Sequence, residues 1–122
     1  MARLFIQENE QDMIDILCLA LEMENFETQA VLGYDADFIG LIGSFRPHLV
    51  MLDYKLDGAE CISLGRLIRK HFPLLPQMAM SCTTSLQETY QKHGFDGCLA
   101  KPFDLDNLYY LLKKLINTPA YE

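Results

Sequence analysis

Apolar residues along this chain fall into two alternating kinds of run. Short uninterrupted ones, Leu4-Phe5-Ile6, Leu49 to Leu52, Met78-Ala79-Met80 and Cys98-Leu99-Ala100, have the length of strands and are apolar on both faces. Phe26 to Val31 alternates instead, as a strand near a sheet edge does, and Gly33 is placed for the turn after it. Between these lie stretches whose apolar residues recur every three or four positions, the spacing of amphipathic helices. Met13, Ile14, Ile16, Leu17, Ala20 and Leu21 mark one over 11–24, and Phe38, Ile39, Ile42 and Phe45 mark a second, capped by Asp35 and stopped by Pro47. A third, Glu60 to Lys70, buries Ile62, Leu64, Leu67 and Ile68 and ends in Arg66, Arg69 and Lys70, which suit the helix dipole. Ser85 and Glu88 form a capping box for a helix running to His93, with Gly94 closing it. Asp104 caps the last helix, whose Leu105, Leu108, Leu111, Leu112 and Leu115 face the core, and Asn117 to Glu122 form a polar tail with a helix-stopping Pro119.

Five strands alternating with five helices, with no linker or repeat between them, predict a single domain over residues 1–122. The fold class is α/β, with one parallel sheet joined by right-handed crossovers. Uninterrupted apolar strands belong in the middle of such a sheet, and ligands bind outside the carboxyl ends of its strands. Four of the strands end in polar groups: Glu8 and Asn9, Asp53, Ser81, and Lys101. A parallel sheet brings all of them to one edge. Two acids, an amide, a hydroxyl and a lysine together make a cradle for a phosphoryl group and a divalent cation. Glu8 and Asp53 supply hard oxygens to Mg²⁺, the Lys101 ammonium neutralises anionic oxygens, and the Ser81 hydroxyl donates to one of them. Asp53 can then act as nucleophile, because a screened carboxylate can form an acyl phosphate.

Composition narrows the setting. The chain has 122 residues, half of them apolar and about a fifth charged, a balance that supports a buried core without staples. No apolar run has the length of a membrane helix, and residues 1–4 lead straight into a strand, so a cytoplasmic protein without membrane contact is expected. A net charge of −7 argues against direct nucleic-acid binding, which needs a basic patch. The four cysteines, Cys18, Cys61, Cys82 and Cys98, form no metal or redox motif, and His48, His71 and His93 lack ligand spacing.

The words at the strand ends carry a resemblance. Leu-Phe-Ile-Gln-Glu-Asn-Glu at the first strand, Pro-His-Leu-Val-Met-Leu-Asp at the third, Met-Ser-Cys at the fourth and Leu-Ala-Lys-Pro-Phe at the fifth stand in the order and spacing of the receiver domain of bacterial two-component response regulators. The chain resembles that family from end to end, as a stand-alone receiver or one excised from a longer chain. The resemblance implies a doubly wound five-stranded sheet of strand order 2-1-3-4-5. It implies a phosphoryl group accepted on Asp53 from a histidine kinase or phosphotransfer protein, with Mg²⁺ held by Glu8, Asn9, Asp53 and the backbone carbonyl of Lys55. Ser81 becomes the switch hydroxyl, Lys101 the phosphate-pairing lysine, and Lys101-Pro102 a cis peptide. The signal would pass to a downstream protein target, or to a second copy of the chain, through the fourth helix, fifth strand and fifth helix. Such a domain is a regulatory acceptor and not an enzyme, slow self-dephosphorylation aside.

Three departures qualify the resemblance. Asn9 stands where the family usually carries a metal-ligating aspartate, which should weaken Mg²⁺ binding by roughly 1 to 3 kcal/mol. Its amide can in return donate a hydrogen bond toward the acceptor. Cys98 stands where a switch tyrosine or phenylalanine is usual, leaving Tyr109 and Tyr110 as candidates for the readout. The loop Asp57-Gly58-Ala59-Glu60-Cys61 lacks the usual proline. The alternative reading these changes favour is a pseudo-receiver, an interaction module that works without phosphorylation. Enzymes with an aspartyl nucleophile of the haloacid dehalogenase type want a second acid two residues after Asp53, where Lys55 stands. A flavodoxin-type flavin site wants a hydroxyl-rich loop where Glu8-Asn9-Glu10 stands.

Overall fold

A computed structural model describes residues 1–116, so the predicted polar tail of Asn117 to Glu122 lies outside the described residues. Five strands, β1 (Arg3–Glu8), β2 (Glu27–Leu32), β3 (Leu49–Asp53), β4 (Gln77–Ser81) and β5 (Gly97–Ala100), form one parallel sheet in the order β2-β1-β3-β4-β5. The helices between and after them are α1 (Gln11–Met23), α2 (Phe38–Phe45), α3 (Ala59–His71), α4 (Leu86–Thr89), a 3₁₀ turn at Tyr90–His93, and α5 (Leu105–Ile116).

Alternation of side chains along each strand divides the core into two layers. Phe5, Val50, Leu52, Ala79 and Cys98 face Phe38 and Ile42 of α2 and Cys61, Leu64 and Ile68 of α3. Leu4, Ile6, Leu49, Met51, Met78, Met80 and Leu99 face Leu17 and Leu21 of α1 and Leu108 and Leu112 of α5. This two-sided burial explains why the strands carry no polar alternation, and it leaves their carboxyl ends as the place where polar groups emerge. The edge strand β2 is only half-buried, in keeping with its mixed pattern.

Several local expectations need correction. The cap of α2 is Asp37, whose Oδ1 accepts the Gly40 N–H at 3.1 Å, because the residue directly before the first turn is the one within reach of that donor; Asp35 lies too far back. Ser85 makes no side-chain cap bond. Its own backbone is already helical (φ −62°, ψ −29°), which turns the hydroxyl away from the first-turn amides, and the α-helix that follows lasts four residues before tightening to 3₁₀. Gly94 does close that segment, at φ +92°. Ile16, Leu67 and Leu105 are exposed. At about 100° per residue only one stripe can face the sheet, and Ile14 with Leu17, and Leu64 with Ile68, already occupy it on α1 and α3; Leu105 shares the stripe of Leu108 and Leu112 but is the first residue of α5, at the helix end. Asp104 caps α5 as expected, its Oδ1 accepting the Asn107 N–H at 2.6 Å.

Candidate functional site

The sheet order puts β3 in the middle, so Asp53 at its end is flanked by the ends of β1 and β4. One strand further, β5 pairs with β4 up to Ala100, and the Lys101 N–H donates to the Ser81 carbonyl at 2.7 Å, fixing where the lysine leaves the sheet. The Lys101-Pro102 peptide is cis, as expected. The Lys101 side chain returns over the sheet edge: Nζ lies 2.9 Å from Glu8 Oε2 and 3.0 Å from Asp53 Oδ1. Two acids thus share one cation.

Each oxygen of these acids has a named partner. Glu8 Oε1 accepts the Asn9 backbone N–H at 2.9 Å. Asp53 Oδ2 accepts Asn9 Nδ2 at 2.7 Å. Burial pushes the Glu8 carboxyl above its usual range, and the hydrogen bonds from Lys101 and the Asn9 amide offset this only in part. For Lys101 burial acts downward, but its hydrogen bonds and charge pairing with Glu8 and Asp53 outweigh it, so the ammonium is held above the usual lysine value.

Glu8, Asn9, Asp53 and Lys101 are therefore brought together. Ser81 is buried beside them, yet its hydroxyl is engaged elsewhere: it pairs with Thr83 Oγ1 at 2.8 Å and accepts the Thr83 N–H at 2.9 Å. Cys98 is buried on the α2/α3 side of the sheet, its Sγ 3.3 Å from Gln87 Nε2, and burial pushes its thiol up to about 11. The Lys55 carbonyl accepts the Gly58 N–H at 2.9 Å, inside the loop that borders the site. A cavity of about 220 Å³ opens here, lined by Asn9, Asp53, Lys55, Cys82, Thr83 and Lys101 among others.

Two residues that the sequence reading passed over belong to the site. Gln7 is fully buried; its Oε1 accepts the Asp53 N–H at 3.0 Å and its Nε2 donates to the Gly33 carbonyl at 2.9 Å. A glutamine at the end of an otherwise apolar strand was the available signal, since a buried amide needs partners. Tyr34 donates its hydroxyl to the Asp53 carbonyl at 2.6 Å, while Asn9 Nδ2 lies 3.3 Å from the same hydroxyl. Burial, above all, pushes this phenol up to about 12, so it remains a donor at neutral pH. Only the position directly after the β2 turn hinted at its role.

The oxygens present fit a loosely held divalent cation. Among the described residues no three His, Cys, Asp or Glu side chains stand together, and Glu8 is committed to Lys101 and the Asn9 amide. The other oxygens at hand are Asp53 Oδ2, which accepts from Asn9 Nδ2, the Asn9 side-chain oxygen on the far side of that amide, and the Lys55 carbonyl, around a cavity large enough for several waters. Mg²⁺ commonly binds through one or two carboxylates and keeps much of its water, so this set would offer it one carboxylate and little further charge.

Comparison with known proteins identifies the family and its fold. The family model of the response regulator receiver domain matches residues 4–113, and the chain belongs to that family. Its members are regulatory domains of two-component systems. The DNA-binding transcriptional regulator NtrC of Proteus hauseri is 28% identical over 104 residues, covering 83% of this chain and 20% of the regulator. The chain thus spans about a fifth of the length of that relative. The crystal structure of the receiver domain of NtrX from Brucella abortus superposes with a TM-score of 0.81 at 25% identity, covering 95% of this chain and 99% of the other. Response regulator TrrA from Thermotoga maritima, in complex with Mg²⁺ and BeF, has the same fold with a TM-score of 0.81 at 21% identity, over 94% and 99% of the two chains.

Proposed function

We propose that this receiver is a phosphoacceptor whose Asp53 takes a phosphoryl group from a histidine kinase or phosphotransfer protein. The observation that carries the reading is the position of the Lys101 ammonium, 3.0 Å from Asp53 Oδ1 beside a cleft of about 220 Å³. A carboxylate oxygen attacks phosphorus, the P–N bond to the donor imidazole breaks, and a P–O bond forms, giving an acyl phosphate on Asp53. The leaving imidazole takes up a proton as needed from solvent. Lys101 offsets the negative charge that accumulates, the Asn9 amide donates toward Asp53, and Ser81 with Thr83 stands by to receive a phosphoryl oxygen once the two hydroxyls part. A bound Mg²⁺, held by Asp53, Asn9 and the Lys55 carbonyl, would supply further charge neutralisation between acceptor and donor. The Mg²⁺ and BeF bound by the Thermotoga maritima relative support this expectation.

The signal would leave through the surface of α4, β5 and α5, toward a downstream protein or a second copy, in the cytoplasm. Tyr110 is exposed on that helix, whereas the Tyr109 hydroxyl is tied to the Ala20 carbonyl at 3.1 Å, so Tyr110 is the better placed of the two for contact. Slow self-dephosphorylation by water would reset the domain. Residues 1–122 act as one unit in this reading.

Two observations favour the second reading, a pseudo-receiver. Both Asp53 oxygens already hold hydrogen-bond donors, and Cys98 offers no ring to transmit a change. Incubation with a small phosphodonor and Mg²⁺, followed by intact-protein mass measurement, separates the two. A base-labile adduct on the wild type that is lost in Asp53→Asn supports the acceptor. A folded protein that takes no adduct, and whose amide resonances near Asp53 ignore beryllofluoride, leaves the pseudo-receiver.

A further inference from the structure

The Asn9 amide is held by more than its bond to Asp53. Because the Tyr34 hydroxyl gives its proton to the Asp53 carbonyl, its oxygen is free to accept, and the second N–H of Asn9 lies 3.3 Å from it. Both hydrogens of the amide are then engaged, one on Asp53 Oδ2 and one on Tyr34, and the nitrogen faces the acceptor while the oxygen faces away. Tyr34 is itself well fixed. Gly33, just before it, turns at φ +81°, with its N–H on the Glu8 carbonyl at 2.8 Å and its carbonyl on Gln7 Nε2 at 2.9 Å. The ring is thereby aimed over the ends of β1 and β3.

This orientation is wrong for a cation. A divalent ion at Asp53 Oδ2 would meet two polarised N–H groups, and it can use the Asn9 oxygen only if the amide turns over. Turning it breaks the bond to Asp53 and sets two oxygens against each other at Tyr34 unless the phenol also gives up the Asp53 carbonyl. We propose that Tyr34 is a positioning residue that locks the Asn9 amide nitrogen-inward and so sets a low affinity for divalent cations at this site. The proposal rests on the reading of Asp53 as the place where cation and phosphoryl group meet. The asparagine alone would lose an anionic ligand; the tyrosine adds a barrier of its own, one that a cation must displace.

The test is a Mg²⁺ titration followed by amide NMR, including the Asn9 side-chain NH₂, on the wild type, Tyr34→Phe and Asn9→Asp. The phenylalanine keeps the ring and removes only the hydroxyl, and a dispersed spectrum verifies its fold. Removing one hydrogen bond that opposes the cation should tighten binding about threefold to tenfold in Tyr34→Phe. In the wild type, the Asn9 NH₂ signals should move as the cation binds. If Asn9→Asp binds more tightly than wild type while Tyr34→Phe does not, the lock is refuted and the site reading stands. If none of the three binds Mg²⁺ near Asp53, the cation-site reading falls, and the lock with it.

Discussion

Gln7 reaches past the end of the β1–β3 ladder to Asp53, its side-chain oxygen accepting the Asp53 backbone N–H at 3.0 Å. Ladder pairing between these strands stops at Gln7 and Leu52, so the side chain continues by one step what the backbone has ended. Its nitrogen meanwhile holds the Gly33 carbonyl after β2. One buried amide therefore ties three strand ends together under the site. Gln7→Leu would leave the Asp53 N–H buried without a partner, at a cost of about 1 to 3 kcal/mol. Urea denaturation measures it, with an unchanged transition slope expected.

Lys101 separates two acids that would otherwise face each other. Lys101→Met should destabilise the protein by about 2 to 3 kcal/mol, since Glu8 is fully buried and Asp53 nearly so. Glu8→Gln in the Lys101→Met background should recover part of that loss, because it removes the stranded charge. A double-mutant cycle on urea midpoints reads the coupling directly, and additive effects would contradict the shared-cation geometry.

How far these contacts could be foreseen differs from element to element. The central strands were legible because two-sided burial leaves an uninterrupted apolar run with an abrupt polar end, a pattern that Leu49 to Asp53 displays. The acids and the lysine at the strand ends followed once the sheet was known to be parallel. Tyr34 and Gln7 did not follow in the same way. Their roles depend on where a turn aims a side chain across to another strand, and neither spacing nor residue type encodes that direction. Exposed Leu67 marks the same gap: leucine is a good helix former wherever it sits, so its presence does not by itself assign a face, while Leu105 has the right face but sits at the helix end. The Ser85 capping box matched in residue types but not in backbone geometry.

Gln77 offers a test of a buried group with no evident use. Its Nε2 donates to the Gly65 carbonyl at 2.9 Å, but its Oε1 is buried with no hydrogen-bond partner among the described residues. The Gly65 carbonyl lies inside α3, where the helix ladder also addresses it. Gln77→Met should therefore be neutral or stabilising by up to about 1 kcal/mol, since it removes a stranded acceptor and keeps the volume. Thermal unfolding would register this as an unchanged or raised Tm.

His48 should make stability depend on pH. Its Nδ1 accepts the Arg3 N–H at 2.9 Å, which requires the neutral ring on that side, and burial, followed by the charges of Arg3 and the N-terminus, lowers its pKa from 6.5. The unfolded chain thus takes up the proton first as pH falls. The contribution of His48 is complete above pH 6.5 and is lost as pH drops through the lower folded value. Urea midpoints measured at about pH 7.5 and about pH 5.5 should fall more in the wild type than in His48→Gln.

The contacts of Lys101 span very different stretches of chain: 93 positions separate it from Glu8 and 48 from Asp53. During synthesis both carboxylates leave the ribosome long before their cation does. A nascent chain that has made β1 to β4 carries the acidic pair uncompensated, and the last strand to arrive delivers the neutralising group. The charge cluster is therefore present only in a molecule in which β5 has joined the sheet.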